Sequence, residues 1–201
     1  FNGEALGLKY GFGVNAYGFG LRFTGSEDID RFAGADERRS RAGEFHEQGG
    51  GGNLRLEKTF DNGDVARLNL ESAYEHFVET IDEYRLFEVG APSRAHFARP
   101  FEELSFEFGA DFEHAFSDTF NAKLIAVYDK SYEKFESAFD LVPGAGPVQR
   151  SLFNSSQTGA ETIGRIEFGF SGFSGHSIQF GGEFAKNVID SSAALQTATG
   201  A

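Results

Sequence analysis

Residues 104–116 read LSFEFGADFEHAF, and this stretch decides the fold class. Its even-numbered positions are mostly Leu, Ala and Phe, whereas its odd-numbered positions include Ser105, Glu107, Asp111 and Glu113. In a β-strand, successive side chains point to opposite faces of the sheet. The stretch therefore predicts a strand with one Phe-rich face and one carboxylate-rich face.

The same alternation recurs along the chain in pairs of runs separated by short polar turns. These pairs predict four hairpins, and therefore eight strands, over about residues 4–24, 53–79, 101–138 and 160–190. The clearest turn is Asp61-Asn62-Gly63, because such residues tolerate a positive φ. The intervening segments, about 26–52, 82–100 and 140–158, lack sustained alternation and are predicted to be long loops.

The turns of the other three hairpins are predicted at residues 13–15, 117–119 and 173–175. In the first hairpin, the apolar run through Leu8 and Phe12 precedes the turn, and the run that includes Phe19 follows it. Each run is long enough for a strand of its own. Short turns that alternate with long loops are typical of outer-membrane barrels.

The 201-residue chain has a formal net charge of −13 and contains 24 Phe but no Cys. The negative charge repels nucleic-acid phosphate, so no nucleic-acid partner is predicted. Without Cys, the chain has no disulfide, zinc-thiolate site or thiol nucleophile. No apolar run approaches the about 20 residues of a membrane-spanning helix, which leaves a soluble β domain or a membrane β-barrel.

The direction of the Phe-rich face separates these two classes. An eight-stranded barrel has an interior just wide enough for side chains, and the Phe-rich faces would overfill it. With those faces turned outward to lipid, the inner face is polar, as in a barrel with a wet lumen. We therefore predict an all-β fold, an antiparallel transmembrane β-barrel of about eight strands. Its predicted lumen-facing polar residues are Glu107, Asp111, Arg165, Glu167 and Glu183.

Two sets of polar residues are candidates for binding. The predicted loop over 26–52 offers the carboxylates, guanidinium groups and imidazole of Asp28, Asp30, Arg38, Arg39 and His46, which suit a cation or a polar ligand. The alternative is that mixed charges keep this loop solvated.

The lumen-facing acids form the second set. They line a polar path or contact a plug, or else they pair with cations on the same face, such as Arg55, Arg67 and Arg165. Acids at every second strand position are required by any hydrated lumen, so they carry no catalytic signal. His residues never cluster at metal-ligand spacing, and no nucleophile motif or phosphate-binding Gly loop is present. We therefore predict no enzyme activity, metal or cofactor.

Three phrases carry a resemblance to a known family: 150–153 (RSLF), 159–165 (GAETIGR) and 176–183 (HSIQFGGE). Together with the stretch over 54–71, they resemble the barrel of a TonB-dependent receptor from a Gram-negative outer membrane. The resemblance implies a 22-stranded barrel plugged by an N-terminal domain. It also implies uptake of a scarce nutrient, such as an iron chelate, cobalamin or a sugar, with energy from the TonB system.

The chain departs from that family in lacking a recognisable plug, a TonB box and a terminal aromatic residue. We therefore expect it to be a section of a larger barrel, in contact with outer-membrane lipid, the TonB system and an extracellular small molecule. Two alternatives stay open. One is a complete, small eight-stranded outer-membrane protein with a structural or adhesion role, and the other is a soluble β-barrel that binds an apolar ligand.

Overall fold

The computed structural model, which describes residues 1–30 and 36–200, is one antiparallel sheet in which each strand pairs with the next. The prediction of an all-β antiparallel fold with eight strands is confirmed. The strands are β1 (Asn2–Ala5), β2 (Leu8–Ile29), β3 (Glu37–Thr59), β4 (Val65–Phe87), β5 (Ser93–Ser117), β6 (Phe120–Val142), β7 (Val148–Phe170) and β8 (Ile178–Gly200). Over the described residues the chain forms no helix that would be long and apolar enough to cross a membrane.

The seven strands from β2 onward are 22 to 25 residues long, and this length corrects the predicted loops. Most of 26–52, 82–100 and 140–158 is strand, and the connections are only 30–36, 88–92 and 143–147. Residues 31–35 of the first predicted loop lie outside the described residues. Each of these segments contains a cross-strand ion pair, namely Asp28–Arg38, Asp82–His96 and Asp140–Arg150, which takes the place of an apolar contact, and glycines add to this effect in β3.

The glycine run 49–52 illustrates the point, because it lies inside β3 and is paired on both sides. The ring of Tyr17 on β2 covers Gly49, where an added Cβ would lie 2.6 Å from the ring. Such a close approach requires glycine. At Gly49 a neighbouring ring therefore needs the room, whereas at Gly50 and Gly51 an added Cβ would lie 2.7 Å from a backbone oxygen of an adjacent strand.

The first predicted hairpin is also corrected, because β2 continues straight through residues 13–15. The chain turns earlier, at Leu6 and Gly7, whose φ values of 52° and 67° are those of a tight type I′ hairpin. The other three turns lie where the sequence predicts them, at 60–64, 118–119 and 171–177. The Asp61-Asn62-Gly63 turn places Gly63 at φ 87°, and its amide donates to the Phe60 carbonyl at 2.9 Å.

The register gives the sheet two simple faces. From β2 to β8, even-numbered residues pair with even-numbered residues and odd with odd, except for the bulge that pairs Ser117 with Phe120. We call the two surfaces the even face and the odd face. On the even face, large apolar side chains form a band near the tight turns, the even-face band. It includes Leu8, Phe12, Leu54, Leu56, Leu68, Leu70, Leu104, Phe106, Phe108, Phe112, Leu124, Ile166, Phe168, Phe180 and Phe184.

Further from the tight turns, the apolar residues change to the odd face. Because the β2–β3 register has no irregularity, Phe12 and Phe19 lie on opposite faces of one strand. Beyond this level the even face is polar, and it carries Arg22, Glu44, Glu102 and Lys134. The sheet therefore has two hydrophobic zones, on opposite faces and at different heights.

The sheet is not closed. Strand β1 pairs with only the first part of β2, and the outer edge of β8 has no partner among the described residues. Every residue of β8 is exposed. Because the seven long strands alternate in direction, β2 and β8 run the same way, so pairing them directly would make a parallel contact.

Candidate functional site

The five residues of the first predicted site do not lie together. Asp28 and Arg38 are cross-strand partners on the even face, with Nε of Arg38 2.7 Å from the Asp28 carboxylate. Arg39 is on the odd face, and Asp30 follows the end of β2. His46 is eight positions from Arg38 along β3, or about 26 Å, and contacts Glu44 at 3.4 Å. Only Asp28 and Arg38 are brought together.

Arg39 instead belongs to a closed circuit of alternating charges on the odd face, the ionic ring. The ring joins β2, β3 and β4 through Glu27, Glu37, Arg39, Arg41, Glu83 and Arg85. Its Arg39–Glu37, Arg41–Glu83 and Arg41–Glu27 contacts measure 2.5, 2.5 and 2.9 Å. Glu37 and Glu83 are almost fully buried, with 2% and 4% exposure.

The buried Glu83 of the ring is held ionised by its neighbours. Burial by itself would raise the pKa of Glu83, but hydrogen bonds from Arg41 and Arg85 outweigh burial and hold the pKa below its ordinary value. At the exposed Asp28, the hydrogen bond and charge of Arg38 also lower the pKa. The charges of Asp28, Arg38 and Arg39, which suggested a ligand site in the sequence, are therefore neutralised by partners within the sheet, which is the arrangement of a structural network.

The predicted lumen-facing residues all lie on the odd face, at the height of the even-face band. Asp111 accepts from Arg67 at 2.8 Å and lies 3.5 Å from Lys123. Arg165 donates to Glu183 at 2.6 Å and reaches Glu167 at 3.5 Å. Glu107 makes no ion pair among the described residues, and neither does Arg55.

Glu107 belongs instead to a row of facing carboxylates. Cross-strand pairing places Glu71 opposite Glu107, Glu107 opposite Asp129, and Asp129 opposite Glu161. A second row, four positions further along the strands, pairs Glu75 with Glu103 and Glu103 with Glu133. Within the described part of the chain, none of these seven carboxylates forms an ion pair. Like charges directly opposite each other destabilise a sheet, so each of these facing pairs is expected to cost some stability.

An aromatic row lies two to four positions beyond the second carboxylate row, on the same odd face. It consists of Phe19, Phe45, Phe77, Phe101, Phe135 and Phe153. Ring centroids are 5.6 Å apart from Phe19 to Phe45 and from Phe45 to Phe77, and 5.0 Å apart from Phe77 to Phe101. Phe101 is the cross-strand partner of Phe135, whose ring is 6.2 Å from that of Phe153.

Sequence reasoning missed both the aromatic row and its relation to the acids. The misplaced first hairpin assigned Phe19 to the same side as Phe12. Because β2 is one uninterrupted strand of 22 residues, the even-numbered Phe12 and the odd-numbered Phe19 lie on opposite faces. The signal that was available is the switch from even to odd apolar positions between Phe12 and Tyr17.

Between the two carboxylate rows, the odd face contains a groove of about 260 Å³. Small residues, Gly51, Ala73 and Ser105, form one cross-strand set in its lining. Its lining also includes Asn15, Tyr17, Asn53, Glu71, Glu75 and Glu103. The Tyr17 hydroxyl donates to Glu75 at 3.5 Å. This groove, with the rows beside it, is the candidate functional site.

Within the described residues, no group of three or more His, Asp or Glu side chains is arranged to hold a metal ion. A comparison with protein-family models finds no match for the chain, and a comparison with curated proteins finds none either.

Proposed function

We propose that this chain is a section of a bacterial outer-membrane β-barrel of the TonB-dependent-receptor type and takes part in nutrient uptake. The even-face band is the observation that carries the proposal. A continuous apolar surface crosses all seven long strands, while the odd face at the same height carries Glu57, Arg67, Glu107, Asp111, Asp129, Arg165 and Glu183. An apolar outer face and a polar inner face are the pattern of a barrel in lipid.

The height of the band fits a bilayer. Along β5 it runs from Leu104 to Phe116, about 40 Å of strand at about 3.3 Å per residue. At a strand tilt of about 40° this is about 30 Å of height, close to the hydrocarbon thickness. Tyr74 and Tyr132, the partners of Leu104 on either side, occupy the rim of the band. Tyr at that level suits the membrane interface.

The open edges support a section of a larger barrel over a complete small one. Unpaired backbone groups do not persist in lipid, so β8 requires a partner strand. Because β2 and β8 run the same way, antiparallel closure requires an odd number of further full-length strands. The four-residue β1 pairs only with Leu8–Gly11 and does not meet this requirement.

The receptor type and its activity rest on the family resemblance of the sequence. On this proposal, the nutrient enters through the face lined by the odd-numbered side chains, and TonB supplies the energy through the complete receptor. Cells that express the complete receptor should take up one member of a panel of labelled iron chelates, cobalamin, sugars and amphiphilic amines, and lose that uptake when TonB is removed. Uptake that is indifferent to TonB contradicts the receptor assignment.

The lipid-facing assignment has a direct test, because the chain contains no Trp. Phe106 and Glu107 are adjacent residues on opposite faces, so Phe106→Trp and Glu107→Trp form a matched pair of probes. For the folded protein in vesicles with brominated acyl chains, we expect strong quenching of the Trp in Phe106→Trp and little in Glu107→Trp. Equal quenching of both, or the reverse order, rejects the proposal.

One observation favours a second candidate function, a soluble β protein that binds an apolar ligand. The even face contains an apolar groove of about 920 Å³ that includes Leu56, Leu68, Phe112, Leu124 and Phe184. A soluble protein of this kind stays folded and monomeric in buffer without detergent. The proposed membrane protein instead precipitates or aggregates under those conditions, because the even-face band is exposed.

A further inference from the structure

We propose that the odd-face groove and the aromatic row together bind a small cationic amphiphile, a molecule with an amine or guanidinium group on an apolar body. This inference names the ligand class for the proposed uptake route and therefore rests on the proposed function. It begins from the aromatic row, a hydrophobic surface on a face that is otherwise polar. In the proposed barrel the odd face lines the interior, so these rings point inward. An occupant inside the barrel would therefore cover them.

Charge complementarity identifies the occupant. Glu75, Glu103 and Glu133 lie in register two positions from the rings of Phe77, Phe101 and Phe135. Neither Glu103 nor Glu133 forms a hydrogen bond or ion pair among the described residues, and Glu75 only accepts from Tyr17. A bound positive charge would relieve the repulsion between facing carboxylates, whereas an anion would add to it.

The groove fits the charged end of such a ligand. Its volume of about 260 Å³ admits an amine or guanidinium group with a few carbons, and Glu71, Glu75 and Glu103 are part of its lining. Tyr17 also belongs to the lining and offers a ring for a cation–π contact. From the groove, an apolar body reaches Phe77 and Phe101, because the rings begin two residues further along the same strands.

The ligand test uses two probes of the same shape and opposite charge, 4-phenylbutylamine and 4-phenylbutyrate. We expect calorimetry on the folded protein in detergent to detect the amine and not the carboxylate, with affinity falling as salt rises. Equal binding of the two probes overturns the proposal. So does binding of a basic peptide without binding of the amine, which would identify a polypeptide occupant instead.

Variants locate the site. Glu103→Gln keeps the shape of the side chain and should weaken amine binding about tenfold. Phe101→Ala should weaken it about fivefold. Glu113→Gln, on the odd face of the same strand but outside the groove, is the matched control and should bind as the unaltered protein does. Because Glu103→Gln relieves repulsion, it is expected to fold, and unchanged binding in this variant rejects the site.

Failure of this inference and failure of the proposed function are distinguishable. Lipid quenching in Phe106→Trp reports only which face meets the membrane, whereas the amine titration reports only the odd face. Quenching without amine binding would leave the barrel proposal standing and reject the ligand class.

Discussion

Nε of Arg41 lies 2.5 Å from a carboxylate oxygen of Glu83, joining β3 to β4 at the end of the sheet away from the tight turns. The Glu83 side chain is almost completely shielded from water, and Arg85 contacts the same carboxylate. Removing one partner of a buried ion pair leaves an uncompensated charge, so the loss of Glu83 or of its arginine partners should be costly at this point of the sheet. The contact also explains why a charged segment forms strand.

Replacing Glu83 should test the ring. Glu83→Gln leaves Arg41 and Arg85 competing for the remaining carboxylates, and we expect the free energy of unfolding to fall by about 2–3 kcal/mol. Denaturant unfolding followed by circular dichroism measures the change. The control is Glu79→Gln, which breaks the more exposed pair with Arg99 and should cost less than about 1 kcal/mol. Equal losses in the two variants would show that the ring has no special role.

The ring should also make stability depend on pH in the acid range. The folded-state pKa of Glu83 lies below its ordinary value of 4.5, so its contribution is fully present above that pH. The contribution is lost as pH falls through the lower, folded-state pKa. Unfolding measured from pH 7 to pH 3 should therefore show a loss of stability that is smaller in Glu83→Gln. If Glu83→Gln loses as much stability in acid as the unaltered protein does, the acid sensitivity comes from other carboxylates.

The carboxylate rows predict opposite effects for two acids on one face of β5. Glu107 has Glu71 and Asp129 directly opposite, so Glu107→Gln should stabilise the fold by about 0.5–1 kcal/mol. Asp111 pairs with Arg67 at 2.8 Å, so Asp111→Asn should destabilise it by about 1 kcal/mol. Unfolding measured at low and at high salt checks the cause, because salt screens the repulsion and should reduce the stabilisation by Glu107→Gln. If both substitutions change the free energy of unfolding in the same direction, the cross-strand contacts given by the register are contradicted.

The turn at Gly63 should tolerate no side chain without cost. At φ 87°, Gly63→Ala forces an unfavourable backbone conformation, and we expect a loss of about 1 kcal/mol. Gly164 is the control, because it lies within β7 with no atom near an added Cβ. Gly164→Ala should be neutral or slightly stabilising in the same thermal unfolding assay. A larger loss at Gly164 would mean that its position on the even face needs close packing.

The sequence by itself determined the class of fold. The alternation over 104–116 reflects the two-residue period of side chains along a strand, and the Asp61-Asn62-Gly63 turn reflects the φ angles that its residues tolerate. Both properties depend only on residues close together in the sequence. They located three of the turns and put Glu107, Asp111, Arg165, Glu167 and Glu183 on one face. They failed over 26–52, where the strand is held by partners far away along the chain.

Only the tertiary structure decided which residues meet across strands. The ionic ring unites Glu27, Arg41 and Glu83 from β2, β3 and β4. The facing row unites Glu71, Glu107 and Asp129 from β4, β5 and β6. No local pattern specifies such contacts, because they depend on the register of each pair of strands. Register also places the ring of Phe19 beside that of Phe45. Phe19 and Phe12 lie on opposite faces because they belong to one uninterrupted strand, in which successive side chains alternate between the two faces.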